Sequence, residues 1–216
     1  MIKKILTYRN LRQNVYEAVR NFVVSPEVPP GGKINEDELA NKLGVSKTPV
    51  REALSKLAHD GIVEIIPNRG AYKVKLTKED LREIMLIRET LEGLCVRLAV
   101  ENINEKVIQR LNAILNQFEE KYLEKDFSRY PEAHLKFHNL LHNTSKSQRL
   151  IRIIQSMYDL INMVRLQYFS NPDNIKRSLR FHKELVDALE KRDGELAEKI
   201  RTDMLRSTYQ YLLELV

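Results

Sequence analysis

The chain has 216 residues, 31% of them charged, a net charge of +6 and a single cysteine. No apolar run approaches the roughly 20 residues of a membrane-spanning helix, the first residues lack the charged, apolar and small succession of a secretory signal, and one thiol excludes an internal disulfide framework. A soluble, cytoplasmic protein without a membrane partner is expected, built as one large or two modest domains, with Cys95 a small buried residue on a helix.

Leu11, Val15, Ala18, Val19 and Phe22 keep helical spacing and predict an opening helix over residues 8–25. Ser25-Pro-Glu-Val-Pro-Pro-Gly-Gly32 reads as a loop. Leu39, Ala40 and Leu43 predict a short helix that Gly44 stops, as a residue tolerant of positive φ can. Ser46 is placed to cap a second helix, with Pro49 in its first turn. Val50, Ala53, Leu54 and Leu57 form the apolar stripe of that helix, while Lys47, Thr48 and Arg51 point away from it. Two short helices around a Gly-Val-Ser turn, the second opening in small polar and basic groups, are how a helix-turn-helix enters a DNA major groove. Residues 62–66 and 71–75 then alternate as strands around Pro67-Asn-Arg-Gly70, which makes a basic-tipped wing.

At these residues the chain resembles the GntR family of bacterial transcription regulators. The resemblance runs from Leu11 to about Val74 and rests on Leu39-Ala, Leu43-Gly-Val-Ser, Thr48-Pro-Val-Arg-Glu-Ala-Leu54, Leu57, Gly61 and Asn68-Arg-Gly70. It implies DNA contacts from Lys47, Thr48, Arg51, Asn68, Arg69 and Gly70, made by a homodimer on a palindromic double-stranded operator. One departure is Asp37, at a position often Arg in the family.

Thr77-Lys-Glu-Asp80 opens a long helix as a capping box with Asp in its last position, and the domain boundary is placed there, at 1–76 and 77–216. Residues 1–76 carry 13 Lys/Arg against 8 Asp/Glu, and residues 77–216 carry 23 against 22. The basic excess therefore sits with the helix-turn-helix, where a phosphate-binding surface needs it. Beyond residue 78 only helical patterns occur. Six are expected, broken at 103–104, 126–129, 143–147, 171–172 and 193–194, giving a mainly α protein: a winged helix-turn-helix followed by an antiparallel helical bundle.

This second half resembles the FCD effector domain of the FadR-like subfamily, on Arg88 with Leu91-Glu92, Leu98-Ala99, Phe137-His138, Leu150, His182, Ala188-Leu189, Asp193 and Ala197. Six helices suggest the shorter, VanR-like variant. His134 and His138 stand at i and i+4, near enough to share a metal or to be ordinary helix residues. The resemblance implies that they form a divalent-metal site with His182. His134 then stands where the family has Asp, and Met204 where it has a last His. A histidine set of this kind favours Zn or Ni. His142 is expected at a pocket wall or facing solvent. Arg88 and Arg165 either pair with Glu89, Glu92 or Asp159 at the bundle surface or, as the resemblance implies, hold the carboxylate of a small-molecule effector. The reading is a ligand-responsive repressor and not an enzyme. A metal-dependent hydrolase is the alternative from another class, and an acyl-CoA-responsive regulator without metal is a third.

Overall fold

The computed structural model describes residues 2–125 and 130–215. The break expected at 126–129 lies outside the described residues. The chain divides into two compact units, Met1–Leu76 and Thr77–Val216.

The first unit runs α1 (Ile2–Val24), β1 (Lys33–Ile34), α2 (Glu36–Leu43), α3 (Lys47–His59), β2 (Val63–Ile66) and β3 (Gly70–Lys73). Its core is closed by Val15, Val19 and Val23 of α1, Leu39 of α2 and the stripe Val50, Ala53, Leu54 and Leu57 of α3. Asn35 caps α2, accepting from the backbone of Asp37 and Glu38, and Gly44 ends it in the left-handed region at φ 65. Ser46 holds the extended conformation of a cap, but its hydroxyl makes no capping hydrogen bond. One of the two usual donors to such a cap is missing, because Pro49 occupies the third helical position and has no N–H to offer. The sheet order is β1-β3-β2, antiparallel throughout. β1 was not expected; it pairs Lys33 with Tyr72 and Ile34 with Ala71, so it adds a third strand to the wing. Lys73 is buried, and its ammonium donates to the carbonyls of Val24, Ser25 and Val28. The wing is thereby bolted to the end of α1.

The second unit is a bundle of α4 (Lys78–Asn102), α5 (Glu105–Leu123), α6 (Tyr130–Thr144), α7 (Gln148–Tyr168), α8 (Pro172–Glu190) and α9 (Gly194–Leu215). The Thr77–Asp80 capping box is formed in both directions. Asn104 and Asn171 cap α5 and α8, the latter with Pro172 just inside the helix. α4 is the central helix and packs on α6, α7 and most extensively α9, while α5 covers α6 and α8. The stripe of α4 interleaves apolar Leu81, Met85, Cys95 and Ala99 with two charged residues, Arg88 and Glu92, that are equally buried. The bundle is thus organised around a charged core.

Candidate functional site

α6 carries His134, His138 and His142 at successive four-residue steps, and all three are buried. His182 comes from α8 and is fully buried beside them. Its Nδ1–H donates to the Ser178 carbonyl, one helical turn back, at 2.6 Å. A carbonyl only accepts, so the proton is fixed on Nδ1 and Nε2 presents a lone pair. That Nε2 lies 3.1 Å from His138 Nε2. Ligand atoms of His134, His138 and His182 all lie within 4.8 Å of one another. Nitrogens sharing one ion at about 2.0–2.1 Å stand a little over 3 Å apart, so the three imidazoles fit a single ion.

The electrostatics favour the ligand-competent state. Burial first, and the Arg165 guanidinium next, push the His134 imidazole well below the usual range. Burial and Arg201 do the same to His138, and burial lowers His182 to about 3. All three are neutral near pH 7, as metal ligation requires. His134 Nδ1 and His138 Nδ1 have no protein partner, an exception to the usual satisfaction of buried polar atoms. His142 is 1% exposed, so of the two alternatives, pocket wall or solvent, the solvent-facing one is corrected; it sits 3.5 Å from Glu92. Glu92, His138 and His142 form a second group of metal-ligand type. Both Glu92 oxygens are already held by guanidiniums, whose charge opposes a cation there.

Of those guanidiniums, Arg201 is the one that sequence reasoning missed; Arg88 was singled out, but not its place in the interior. Arg88 donates from Nε to Glu92 Oε1 at 2.7 Å, and Arg201 donates from Nε and Nη2 to Oε2. Arg88 does pair with Glu92, but in the interior and not at the bundle surface. Burial opposes ionisation of Glu92, yet Arg201 and then Arg88 outweigh it and hold its carboxyl well below the ordinary carboxylate range. Arg201 Nη1 also donates to Met204 Sδ at 3.2 Å, so the thioether in the fourth family position is committed to a guanidinium. The available signal was Arg201 standing in the apolar stripe Ala197, Met204, Leu205 and Leu212 of α9.

Arg165 is buried as well, with Asn162 accepting at 2.7 Å and the rings of Tyr158 and Phe169 against its guanidinium. Burial lowers it to about 10, which leaves it charged at neutral pH. Arg88, Arg165, Arg201, His134 and Met204 surround a cavity of ≈ 10 Å³, room for about one water. Tyr168 and Phe169 pack edge to face with each other, and Tyr168 likewise with Tyr211.

In the first unit Lys47, Thr48 and Arg51 share the exposed face of α3. Two of them are engaged by α2: Lys47 pairs with Asp37, and Arg51 Nε donates to Glu36 Oε2 at 2.6 Å. Asn68 and Arg69 are exposed at the wing tip, with Asn68 at φ 61 and Gly70 at φ 104, where a β-carbon would be strained. The β1–β3 pairing also brings the Lys33 side chain beside Gly70.

Residues 11–72 match the profile of the bacterial regulatory proteins of the gntR family, and residues 83–207 match the FCD domain. The transcriptional repressor RspR of Escherichia coli (strain K12) is 30% identical over 196 residues, which span 91% of this chain and 86% of RspR. The chain belongs to the GntR family. As in that family at large, it is a DNA-binding transcriptional regulator and not an enzyme. The regulator YdhC of Bacillus subtilis (strain 168) is 28% identical over 185 residues, 85% of this GntR-family chain and 83% of YdhC. Among solved structures, E. coli McbR/YncC superposes with a TM-score of 0.84 at 23% identity, covering 95% of this chain and 98% of that one; the likeness is one of fold.

Proposed function

We propose that this regulator is an effector-responsive repressor whose bundle holds a divalent transition metal, zinc or nickel, through His134, His138 and His182. The observation that carries the proposal is the convergence of three buried, neutral imidazoles, with the His182 lone pair steered inward by the Ser178 carbonyl. Three imidazoles without a carboxylate suit zinc or nickel better than manganese or magnesium. When bound, such an ion supplies a Lewis-acidic position for a carboxylate oxygen.

The effector is a small organic acid. Arg88, Arg165 and Arg201 around one cavity, against the carboxylate of Glu92, favour an anion, and Arg165, held by an amide and two ring faces, is its anchor. A hydrolase reading fails on the same geometry, because Glu92, the carboxylate nearest the histidines in the second ligand group, is saturated by two guanidiniums and cannot serve as a base.

At the DNA end, Lys47, Thr48 and Arg51 enter the major groove while Asn68, Arg69 and Gly70 touch the backbone beside it. A single recognition helix reads only a few base pairs, so a symmetric dimer on a palindromic operator completes the site. Repression follows the character of RspR.

The test is metal content and thermal stability of the full chain. Purified without chelator, wild type should carry close to one equivalent of zinc or nickel, and His182→Ala should carry none. Stripping the metal should lower the wild-type melting temperature by several degrees, since occupancy at a hundred times Kd stabilises by about 2.7 kcal/mol. Metal-free wild type that shows no change in melting on titration with Zn²⁺ and Ni²⁺ would overturn the metal site.

A further inference from the structure

The face of α3 that reads DNA is held by acidic residues of α2. Asn35 caps α2 and thereby fixes the backbone of its first turn, Glu36, Asp37 and Glu38. Carboxylates there are stabilised by the positive end of the helix dipole, which accounts for their presence but not for where they reach. Glu36 Oε2 accepts from Arg51 Nε at 2.6 Å; the Glu36 side chain is 27% exposed and that of Arg51 65% exposed. The carboxylate is thus the sheltered partner and the guanidinium the outward one. The contact engages Nε, which leaves the two terminal nitrogens of this largely exposed side chain available to a second acceptor. An arginine reads guanine through two parallel N–H bonds to O6 and N7. A long side chain free to rotate would lose that orientation, and would also bind any phosphate within reach.

We propose that Glu36 is a positioning residue for sequence reading: it presents the terminal fork of Arg51 to a guanine and at the same time withdraws charge from the phosphate-binding face. Asp37, paired with Lys47, contributes to the second effect only. The inference rests on the reading that Arg51 contacts a base. It makes specific and non-specific affinity respond in opposite directions to one substitution. Loss of structure would weaken both, and simple relief of repulsion would strengthen both equally.

The experiment uses the full chain and duplexes enriched by wild type from a randomised 24-base-pair pool, a length of about two helical turns. Dissociation constants are measured for the enriched duplex, for its single-base substitutions and for a scrambled duplex of equal composition. Because each specificity ratio compares two duplexes with one protein sample, the folded fraction cancels. Arg51→Ala should flatten base preference at one symmetry-related pair of positions. Glu36→Ala should flatten the same pair, lowering the ratio there about tenfold, within the range of a lost bidentate contact, while binding the scrambled duplex more tightly than wild type. Glu36→Gln keeps an acceptor for Nε without the charge, so it should retain the base preference and still bind the scrambled duplex more tightly. Unchanged preference in Glu36→Ala, with Arg51→Ala flattened, would overturn the positioning role alone. Unchanged preference in Arg51→Ala would instead overturn the base contact on which the inference rests. Equal loss in Glu36→Gln and Glu36→Ala would show that the charge and not the hydrogen bond matters, and would also overturn the positioning role.

Discussion

Glu92 is the residue whose removal should most disturb the bundle. It is fully buried, and each of its oxygens is claimed by a different guanidinium: Arg88 on Oε1 and Arg201 on Oε2. Glu92→Ala leaves two buried positive charges facing a void. Breaking one buried ion pair costs about 3–5 kcal/mol, and here two pairs share the lost carboxylate, so the upper end applies. For a unit of this size a change of that order moves the melting temperature by about 10–15 °C. Near-UV circular dichroism reports the transition, since Tyr130, Tyr158 and Tyr168 are buried in the bundle. The triple variant Arg88→Met, Glu92→Leu, Arg201→Met removes the charges together, and a buried ionic triad can often be replaced by apolar residues without loss. It should therefore melt near wild type. A shift below about 1 kcal/mol in Glu92→Ala, the range of an exposed pair, would refute the assignment of a buried Arg–Glu–Arg core.

Acid should destabilise the metal-free protein through its histidines. Their folded values lie below the ordinary 6.5, about 3 for His182, so the native state binds fewer protons than the unfolded chain as pH falls. Full stability is expected above about pH 6.5, with a decline of up to about 4 kcal/mol per pH unit toward pH 4 if all three titrate together, at about 1.4 kcal/mol per group and unit. Urea midpoints measured against pH in the presence of chelator give that slope, and a slope below one proton would count against the burial of the cluster. Dimerisation should use α4, where Leu86, Ile87 and Leu94 expose 66%, 42% and 44% of their surface on one face. Leu86→Glu with Leu94→Glu should give a folded monomer by light scattering; a persistent dimer would place the interface elsewhere.

What the sequence made legible was local. The Gly44 stop, the Thr77–Asp80 box and the break at Asn171-Pro172 each act within one helical turn, and all are formed. β1 was invisible because two residues carry no period; it exists only through pairing with β3 some 40 positions later. Ser46 looked like a cap by type, but its hydroxyl stays unused, and Pro49 at the third helical position removes one of the two donors it could have met. The histidines could be found from an i, i+4 step and a resemblance. The charged core could not, because Glu92 meets Arg201 across 109 positions and nothing in the spacing of either helix names the other. Arg88 and Glu92 were seen as neighbours on one helix, but their burial is a property of α9 covering them.

That burial bears on how an effector would act. The cavity between Arg88 of α4, His134 of α6, Arg165 of α7 and Arg201 of α9 measures ≈ 10 Å³, less than a carboxylate with any carbon skeleton requires. On the proposed reading, the acid can enter only when these helices move apart, so the packed state excludes it by volume while an opened state admits it to three guanidiniums. A ligand that bound both packings equally would shift nothing. Here the difference in affinity is built into the size of the cavity, and the apparent affinity falls by the fraction of molecules that are open. Substitutions that loosen the seam between α4 and α9, such as Leu205→Ala on the buried face of α9, should then tighten effector binding while lowering stability. The two effects have one cause: opening is the step that the effector requires and that the core resists.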